Sequence, residues 1–254
     1  MYFKMVSVIL PVYNDQNNIK SAIDSVLNQD YSDFELIIID DYSNDQTKSI
    51  LDKYDDQKIL VFRNAKNLGI AKSRNLGIEK SKGEYISFID SDDIWFPNKL
   101  KVQMEFLKKR KLNFTYSGVT FIDSMNREIG EYVPKKAVSF RKLMKFNYVP
   151  TITIIYSKIH FKDLMFEDIR HEDYLFTLNL SKTKGFKGEG IPKKLAAYRI
   201  NKSSTSFNKF KAVRWHWNIL MKVEKNLLKR IYFIINYTLN GLIKYFIGYY
   251  NIIS

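Results

Sequence analysis

Residues 83–93 read Gly-Glu-Tyr-Ile-Ser-Phe-Ile-Asp-Ser-Asp-Asp. Tyr85–Ile89 is a short apolar run rich in aromatic and β-branched residues, the mark of a buried strand. It runs directly into Asp90-Ser91-Asp92-Asp93. A buried strand rarely ends in three acids without a counter-charge. Hard divalent ions such as Mg²⁺ or Mn²⁺ prefer carboxylate oxygens and bridge diphosphates. The spacing therefore suits a metal held against a nucleotide diphosphate. The plain alternative is a solvated turn whose acids cap the helix near Pro97.

Outward from this stretch, strands and helices alternate. Val6–Val12, Phe34–Ile39 and Ile59–Phe62 read as further strands. Asn17–Gln29 places Ile19, Ala22, Ile23, Val26 and Leu27 on one helical face. Ser43 and Asp45 suit the cap of a short helix through Leu51, and Ala71–Lys80 reads as a helix stopped by Gly83. Asn98–Arg110 is a further amphipathic helix, Phe114–Ile122 and Thr151–Tyr156 read as strands, and His171–Leu180 as a helix opening on acids. Such alternation predicts an α/β fold with a mostly parallel sheet and helices on both faces. Ligands of such sheets bind beyond the carboxyl ends of the strands. Asp40–Asp41 and Asp90–Asp93 fall at those ends. So do Pro11 and Tyr13, at the end of the first strand. An aspartate accepts from the imide of uracil, and a tyrosine ring stacks on a base. Each also has a plain structural reading: Asp40 forms a turn, Asp45 caps a helix, Tyr13 packs in a core.

Composition narrows the chemistry. The chain of 254 residues carries 41 Lys and Arg against 27 Asp and Glu, giving +14. With no cysteine, thiolate nucleophiles, thiolate metal sites and disulfides are excluded. The three histidines, His160, His171 and His216, are too dispersed for a histidine-rich zinc site. Met1–Leu10 has no long apolar run, so no signal peptide is expected. From residue 201 onward nine basic residues face one acid, Glu224, which places +8 of the +14 there. Such an excess seeks phosphate, on nucleic acid or on an anionic membrane. At about 100° per residue, Ile231, Ile235, Leu239, Leu242, Phe246, Tyr249 and Ile253 fall within roughly 80° of one another. Asn236, Asn240, Lys244 and Asn251 lie opposite, with Phe233 and Ile247. This pattern predicts a helix lying in a membrane interface, with packing on the protein's own core and a true span as alternatives.

Five ordered segments carry a resemblance: VSVILPVYN, FELIIIDDYSNDQT, NLGIAKSRNLGI, GEYISFIDSDD and HEDYLF. Together they resemble family-2 glycosyltransferases of the GT-A fold, of the bacterial surface-polysaccharide type. The resemblance implies a nucleotide-sugar-binding half over residues 1–110 and an acceptor and catalytic-base half over 111–207. Residues 208–254 follow as a basic amphipathic helical tail. Pro11 and Tyr13 would line the nucleoside pocket, Asp41 would accept from the base, and Asp40 would support the turn. Arg74 would sit near the nucleotide. Asp90 and Ser91 would approach the ribose and diphosphate, and Asp92 would be the principal ligand of Mn²⁺ or Mg²⁺, with Asp90 beside it. Asp173 would be the catalytic base, with Glu172 as its neighbour and substitute. Arg199 and the hydroxyls after it would close over the diphosphate.

Two departures stand out. Tyr42 occupies a place where relatives commonly carry Gly, so a different backbone is expected after Asp41. Arg170 precedes His171 where some relatives carry another acid.

The implied activity is an inverting, metal-dependent transfer from a UDP-sugar to a saccharide hydroxyl. The acceptor is expected to be lipid-linked, in capsule, O-antigen or exopolysaccharide assembly. The protein is then expected in the cytoplasm, peripheral on the inner membrane face, with no nucleic-acid partner. A nucleotidyltransferase would want a glycine-rich basic loop after the first strand, and PVYNDQNN has no glycine. A dehydrogenase would want GxGxxG, which is absent. The remaining alternative is a basic nucleic-acid-binding or other non-catalytic nucleotide-binding protein.

Overall fold

The computed structural model describes residues 4–134, 138–200 and 209–246, the side chains of 209–211 and 240–246 excepted. Strands β1 (Val6–Val12) and β2 (Phe34–Asp40) are buried at every position. Continuous apolar runs of this kind need cover on both faces of the sheet. They pair in parallel with Val6 beside Phe34 and Val12 beside Asp40. β3 (Ile59–Arg63) flanks β2, and β4 (Tyr85–Phe88) flanks β1, both in parallel. The backbone N–H of Ile89 donates to Ile9 at 3.1 Å and that of Asp41 to Val12 at 2.8 Å. These registers bring the carboxyl ends of β1, β2 and β4 to one level.

Beyond β4 the sheet continues as β8 (Ile155–Ser157), β6 (Phe114–Ile122), β9 (Gly188–Arg199) and β5 (Ile94–Trp95), with β7 (Glu128–Tyr132) on β6. β6 and β9 pair in parallel and the other joins in this half are antiparallel. Helices α1 (Ile19–Leu27), α2 (Thr47–Leu51), α3 (Ile70–Lys80) and α4 (Lys99–Arg110) connect the first half; α5 (Phe140–Leu143) and α6 (Glu172–Lys182) belong to the second. The predicted α/β architecture is present.

Besides the short unforeseen elements β5, β7 and α5, three differences from expectation matter for the site and the tail. Thr151–Thr153 forms a 3₁₀ turn, so the expected strand over 151–156 starts only at Ile155. Side chains take the carbonyls that a ladder would need: Trp95 Nε1 donates to Ile152 O, Gln103 Nε2 to Thr153 O and Ser87 Oγ to Ile154 O. β9 was not foreseen. Its Pro192-Lys193-Lys194 interrupts the apolar pattern, and the structure absorbs Pro192 and Lys193 in a bulge where Ser117 faces Ile191 and Gly118 faces Lys194. Gly118 allows this approach, since a Cβ there would lie 3.1 Å from Lys193 O in the bulge and 2.3 Å from Tyr132 O of β7 on the other side.

The third difference is C-terminal. Two helices, α7 (Lys209–Val223) and α8 (Leu227–Phe246), pack on the domain. Ile219, Leu220 and Phe233 join the same core as β1 and α6. His216, 2% exposed, stacks between Tyr174 of α6 (centroids 5.2 Å) and Tyr237 of α8 (3.8 Å). Burial pushes its imidazole down to about 3, so it serves as a neutral flat spacer. The opposite side of α8 stays open: Leu228, Ile231, Ile235 and Leu239 are 76%, 40%, 51% and 53% exposed. These belong to the stripe expected from the sequence, extended by Leu228. Of the rest of the stripe, the side chains of Leu242 and Phe246 and all of Tyr249 and Ile253 lie outside the described residues.

Lys99 is fully buried, with Nζ 3.8 Å from the Trp95 ring centroid and 3.3 Å from Ser87 Oγ. Burial holds its ammonium well below the ordinary lysine range. The unfolded chain binds that proton more readily, so its contribution to stability falls as pH drops below about 10.4, the unfolded value. Lys99→Met is expected to stabilise the fold at pH 7 by roughly 1–3 kcal/mol. Denaturant titrations should show the gain shrinking as pH rises from 7 to 9. A gain independent of pH would mean that the lysine is not buried as a strained base.

Candidate active site

The level strand ends enclose a cleft of about 390 Å³. Of the residues predicted to bind, Pro11, Tyr13, Asp41, Asp90, Ser91 and Asp92 line it. Pro11 is buried and Tyr13 stands at the rim, 48% exposed.

The Asp41 carboxylate is held rigidly. Oδ1 accepts from Leu68 N (2.8 Å) and Asn64 Nδ2 (2.7 Å), and Oδ2 accepts from Gly69 N (2.8 Å). Gly69 has φ +87°, a conformation open to glycine, and lets the chain turn there into α3. Asp40 is buried and accepts from Ser43 N at 2.9 Å, with Arg63 Nε 3.5 Å away, so it braces the turn. Tyr42 adopts φ +70°, the left-handed conformation that glycine favours, here in a residue with a large side chain. Its ring points outward, 50% exposed, with the Arg63 guanidinium 5.8 Å from the ring centroid.

The acidic turn after β4 is crowded with negative charge. Ser91 Oγ donates to Asp15 Oδ2 at 2.7 Å, which draws a fourth acid to the cleft. Burial, Asp90 and Asp15 together push the Asp92 carboxyl up to about 6. Asp93 is buried; its Oδ1 accepts from Arg199 N at 2.8 Å, and burial with Asp92 and Asp90 drives its carboxyl well above the ordinary range. Arg199 holds the turn: Nε donates to Asp92 O (2.8 Å), Nη1 to Asp123 O (2.8 Å) and Nη2 to Asn126 Oδ1 (2.7 Å). The hydroxyls expected to act with Arg199 fall in 201–208, outside the described residues.

This donor set fits a divalent cation. It is all oxygen and anionic, with Asp15, Asp41, Asp90 and Asp92 lining one cleft. Among the described residues no three acidic or histidine side chains form a ready metal cage. An ion here would take one or two carboxylates and draw its other ligands from phosphate and water, as Mg²⁺ commonly does.

α6 brings the remaining acids. Arg74, 2% exposed on α3, spans the gap: Nη2 lies 2.7 Å from Asp90 Oδ1 and Nη1 3.0 Å from Glu172 Oε1. Its guanidinium also lies 5.2 Å from the Phe166 ring centroid. Glu172 and Asp173 do not line the cleft; they stand beside it, joined to Asp90 through this one side chain. Burial and Asp173 push the Glu172 carboxyl up, while Arg74 pulls it down. Among the described residues the Asp173 carboxylate accepts one hydrogen bond, a long one from Thr151 Oγ1 at 3.3 Å. His171, which precedes α6, has φ +61°. Asn14, Tyr42 and His171 thus place left-handed backbone beside all three parts of the site, and local strain tends to collect at functional sites.

Sequence reasoning missed Asp15 and Thr151. Asp15 had a usable signal, an acid two residues beyond Tyr13 at a strand end. Thr151 had none, because it meets Asp173 only through the 3₁₀ turn.

A family model described as Glycosyl transferase family 2 matches residues 7–165. The chain is 32% identical over 247 residues to the Escherichia coli UDP-Glc:alpha-D-GlcNAc-diphosphoundecaprenol beta-1,3-glucosyltransferase WfgD, covering 97% of each. It is 31% identical to the putative teichuronic acid biosynthesis glycosyltransferase TuaG of Bacillus subtilis, covering 94% of this chain and 97% of that one. Among solved structures it is similar to Staphylococcus aureus TarS 1-349 in complex with UDP, with a TM-score of 0.68 at 22% identity, covering 92% of this chain and 70% of that one. It is also similar to the mannosyltransferase PcManGT from Pyrobaculum calidifontis in complex with GDP-Man and Mn²⁺, with a TM-score of 0.67 at 16% identity, covering 89% and 65%.

Proposed function

Because the chain belongs to glycosyl transferase family 2, we propose that this glycosyltransferase moves a sugar from a UDP-sugar, with inversion, to a hydroxyl of a lipid-diphosphate-linked saccharide. The setting is assembly of a bacterial surface polysaccharide. One observation carries the reading: Asp41, Asp90 and Asp92 line a single cleft, and Arg74 links Asp90 to the pair Glu172–Asp173 beside it. Asp41 and the pair Asp90 and Asp92, far apart in sequence, thereby face one cleft, with Glu172 and Asp173 at its side. The E. coli relative named above acts on a diphosphoundecaprenol-linked GlcNAc, which supports the acceptor class.

In this reading Tyr13 stacks on the base and Asp41 accepts from the uracil imide. Asp92, with Asp90, holds Mn²⁺ or Mg²⁺, which when bound supplies the positive charge that offsets the leaving diphosphate. Arg199 keeps the acidic turn in place from behind. Glu172 is committed to Arg74, so Asp173 is the free base. The acceptor oxygen attacks the anomeric carbon as its proton passes to the Asp173 carboxylate. The bond from that carbon to the diphosphate oxygen breaks, and UDP leaves with the electron pair. A single displacement inverts the anomeric centre.

Acceptor-dependent UDP release tests this directly. The purified chain, given Mn²⁺, a panel of UDP-sugars beginning with UDP-Glc and a synthetic prenyl-diphosphate GlcNAc, should release UDP only when the acceptor is present. No release across the panel would overturn the reading. A nucleic-acid-binding role is not favoured. The chain's likeness to glycosyltransferases runs along nearly its whole length, and its C-terminal basic residues border an apolar stripe.

The same reading places the protein on the inner face of the cell membrane. Among the described residues no helix is long and apolar enough to cross a membrane. α8 instead buries Phe233 and leaves Leu228, Ile231, Ile235 and Leu239 open, with Lys225 and Lys229 exposed nearby. An apolar stripe bordered by lysines suits an anionic lipid surface. Changing these four apolar residues to Ser should weaken co-sedimentation with phosphatidylglycerol vesicles at least tenfold, with UDP binding intact. Unchanged sedimentation would refute the anchoring role.

A further inference from the structure

We propose that Trp215 and Arg170 form the acceptor subsite, the indole receiving the acceptor sugar and the guanidinium its diphosphate. The inference rests on the function proposed above and deepens it.

The placement comes first. Arg170 and His171 immediately precede Glu172 and Asp173 at the start of α6. Trp215, on α7, packs its ring against His171 with centroids 5.3 Å apart and planes tilted by 55°. The Arg170 guanidinium lies 5.8 Å from the same indole centroid. Contacts therefore run in order from Trp215 through His171 and Glu172 to Arg74 and Asp90. The donor cleft lies at the Asp90 end. A hydroxyl that reaches Asp173 opposite the leaving diphosphate has the Trp215 end left to it.

The chemistry agrees with the placement. Arg170 is exposed, and among the described residues no carboxylate pairs with it. Trp215 is partly exposed, and its ring is held between contacts with His171 and Arg170. A fixed, partly open indole offers an apolar face to the C–H side of a sugar ring, and it costs little ordering entropy on binding. A guanidinium beside it with no carboxylate partner among the described residues suits a phosphate, which arginine recognises in bidentate fashion. His171 adds no competing cation, because burial and Arg170 hold its imidazole below the ordinary range.

The fold also supplies a route for the lipid. α7 carries Trp215 and packs on α8 through His216 and Tyr237. The outer stripe of α8 is the surface assigned to the membrane. One helical hairpin would thus meet both the saccharide head and the bilayer that holds its prenyl chain.

The test is calorimetric binding of two acceptors to the full chain in the presence of UDP and Mn²⁺: prenyl-diphosphate GlcNAc and octyl GlcNAc. Trp215→Ala should weaken both at least tenfold, and Trp215→Phe should restore most of the loss. Arg170→Ala should weaken only the diphosphate acceptor, by about tenfold. UDP affinity should be the same in all variants. Acceptor affinities unchanged in Trp215→Ala and Arg170→Ala, with UDP still bound, would overturn the subsite alone. Parallel loss of UDP binding would assign Trp215 a purely structural role and also overturn it. A wild-type chain that binds no UDP would overturn the reading on which the subsite rests.

Discussion

Asp173→Asn is expected to lower transfer by roughly 10²–10⁴-fold, the usual worth of a positioned general base, and to leave UDP affinity within about twofold. The side chain keeps its size and its contact with Thr151 but loses the ability to take a proton. Its surroundings make the loss specific. Thr151 Oγ1 at 3.3 Å is a weak donor, so the carboxylate is not committed elsewhere. Glu172 cannot readily replace it, because Arg74 holds that carboxylate at 3.0 Å. The measurement pairs acceptor-dependent UDP release with calorimetric UDP binding. Full turnover in the variant would remove Asp173 from the mechanism and return attention to Glu172. Glu172→Gln makes the discriminating companion. Its effect should be smaller and should reach the donor side, since it frees Arg74 to shift against Asp90.

Asp92→Asn is expected to abolish the metal-dependent part of donor binding. UDP affinity in Mn²⁺ should fall to the value that the parent shows in EDTA. Removing this charge also relieves the repulsion among Asp15, Asp90 and Asp92, which pushes Asp92 toward protonation. The two effects have opposite signs in a melting experiment. Without metal the variant should melt no lower than the parent. With Mn²⁺ and UDP the parent's rise in melting temperature, which follows from binding to the folded state, should vanish in the variant. A variant that keeps that rise would show that the acidic turn does not hold the ion. One that melts much lower without metal would show that Asp92 is mainly structural.

The first half of the fold was legible because β1 and β2 are wholly buried, and their apolar runs announce it. The second half was harder for definite reasons. β9 carries Pro192-Lys193-Lys194 in its middle, and only a bulge opposite Gly118 makes that compatible with a strand. Thr151–Thr153 looks β-branched and strand-like, but side chains from α4, β4 and β5 claim its neighbourhood. In the tail the helical period predicted which residues of α8 stay exposed. Phe233 sat among the asparagines on the opposite side, and it packs inward together with Tyr237. The site shows the same division. Acids at strand ends could be picked out from short strings. The work of Arg74 and Arg199 could not, because their partners lie up to 98 and 107 residues away.

His216 lies flat between a tyrosine of α6 and a tyrosine of the last helix. A shortened gene product that stops before residue 227 would strip one cover from that sandwich and open the buried ring to water. Inactivity in such a product would then report the loosening of α6 and its carboxylates, and it would say nothing about tethering to lipid.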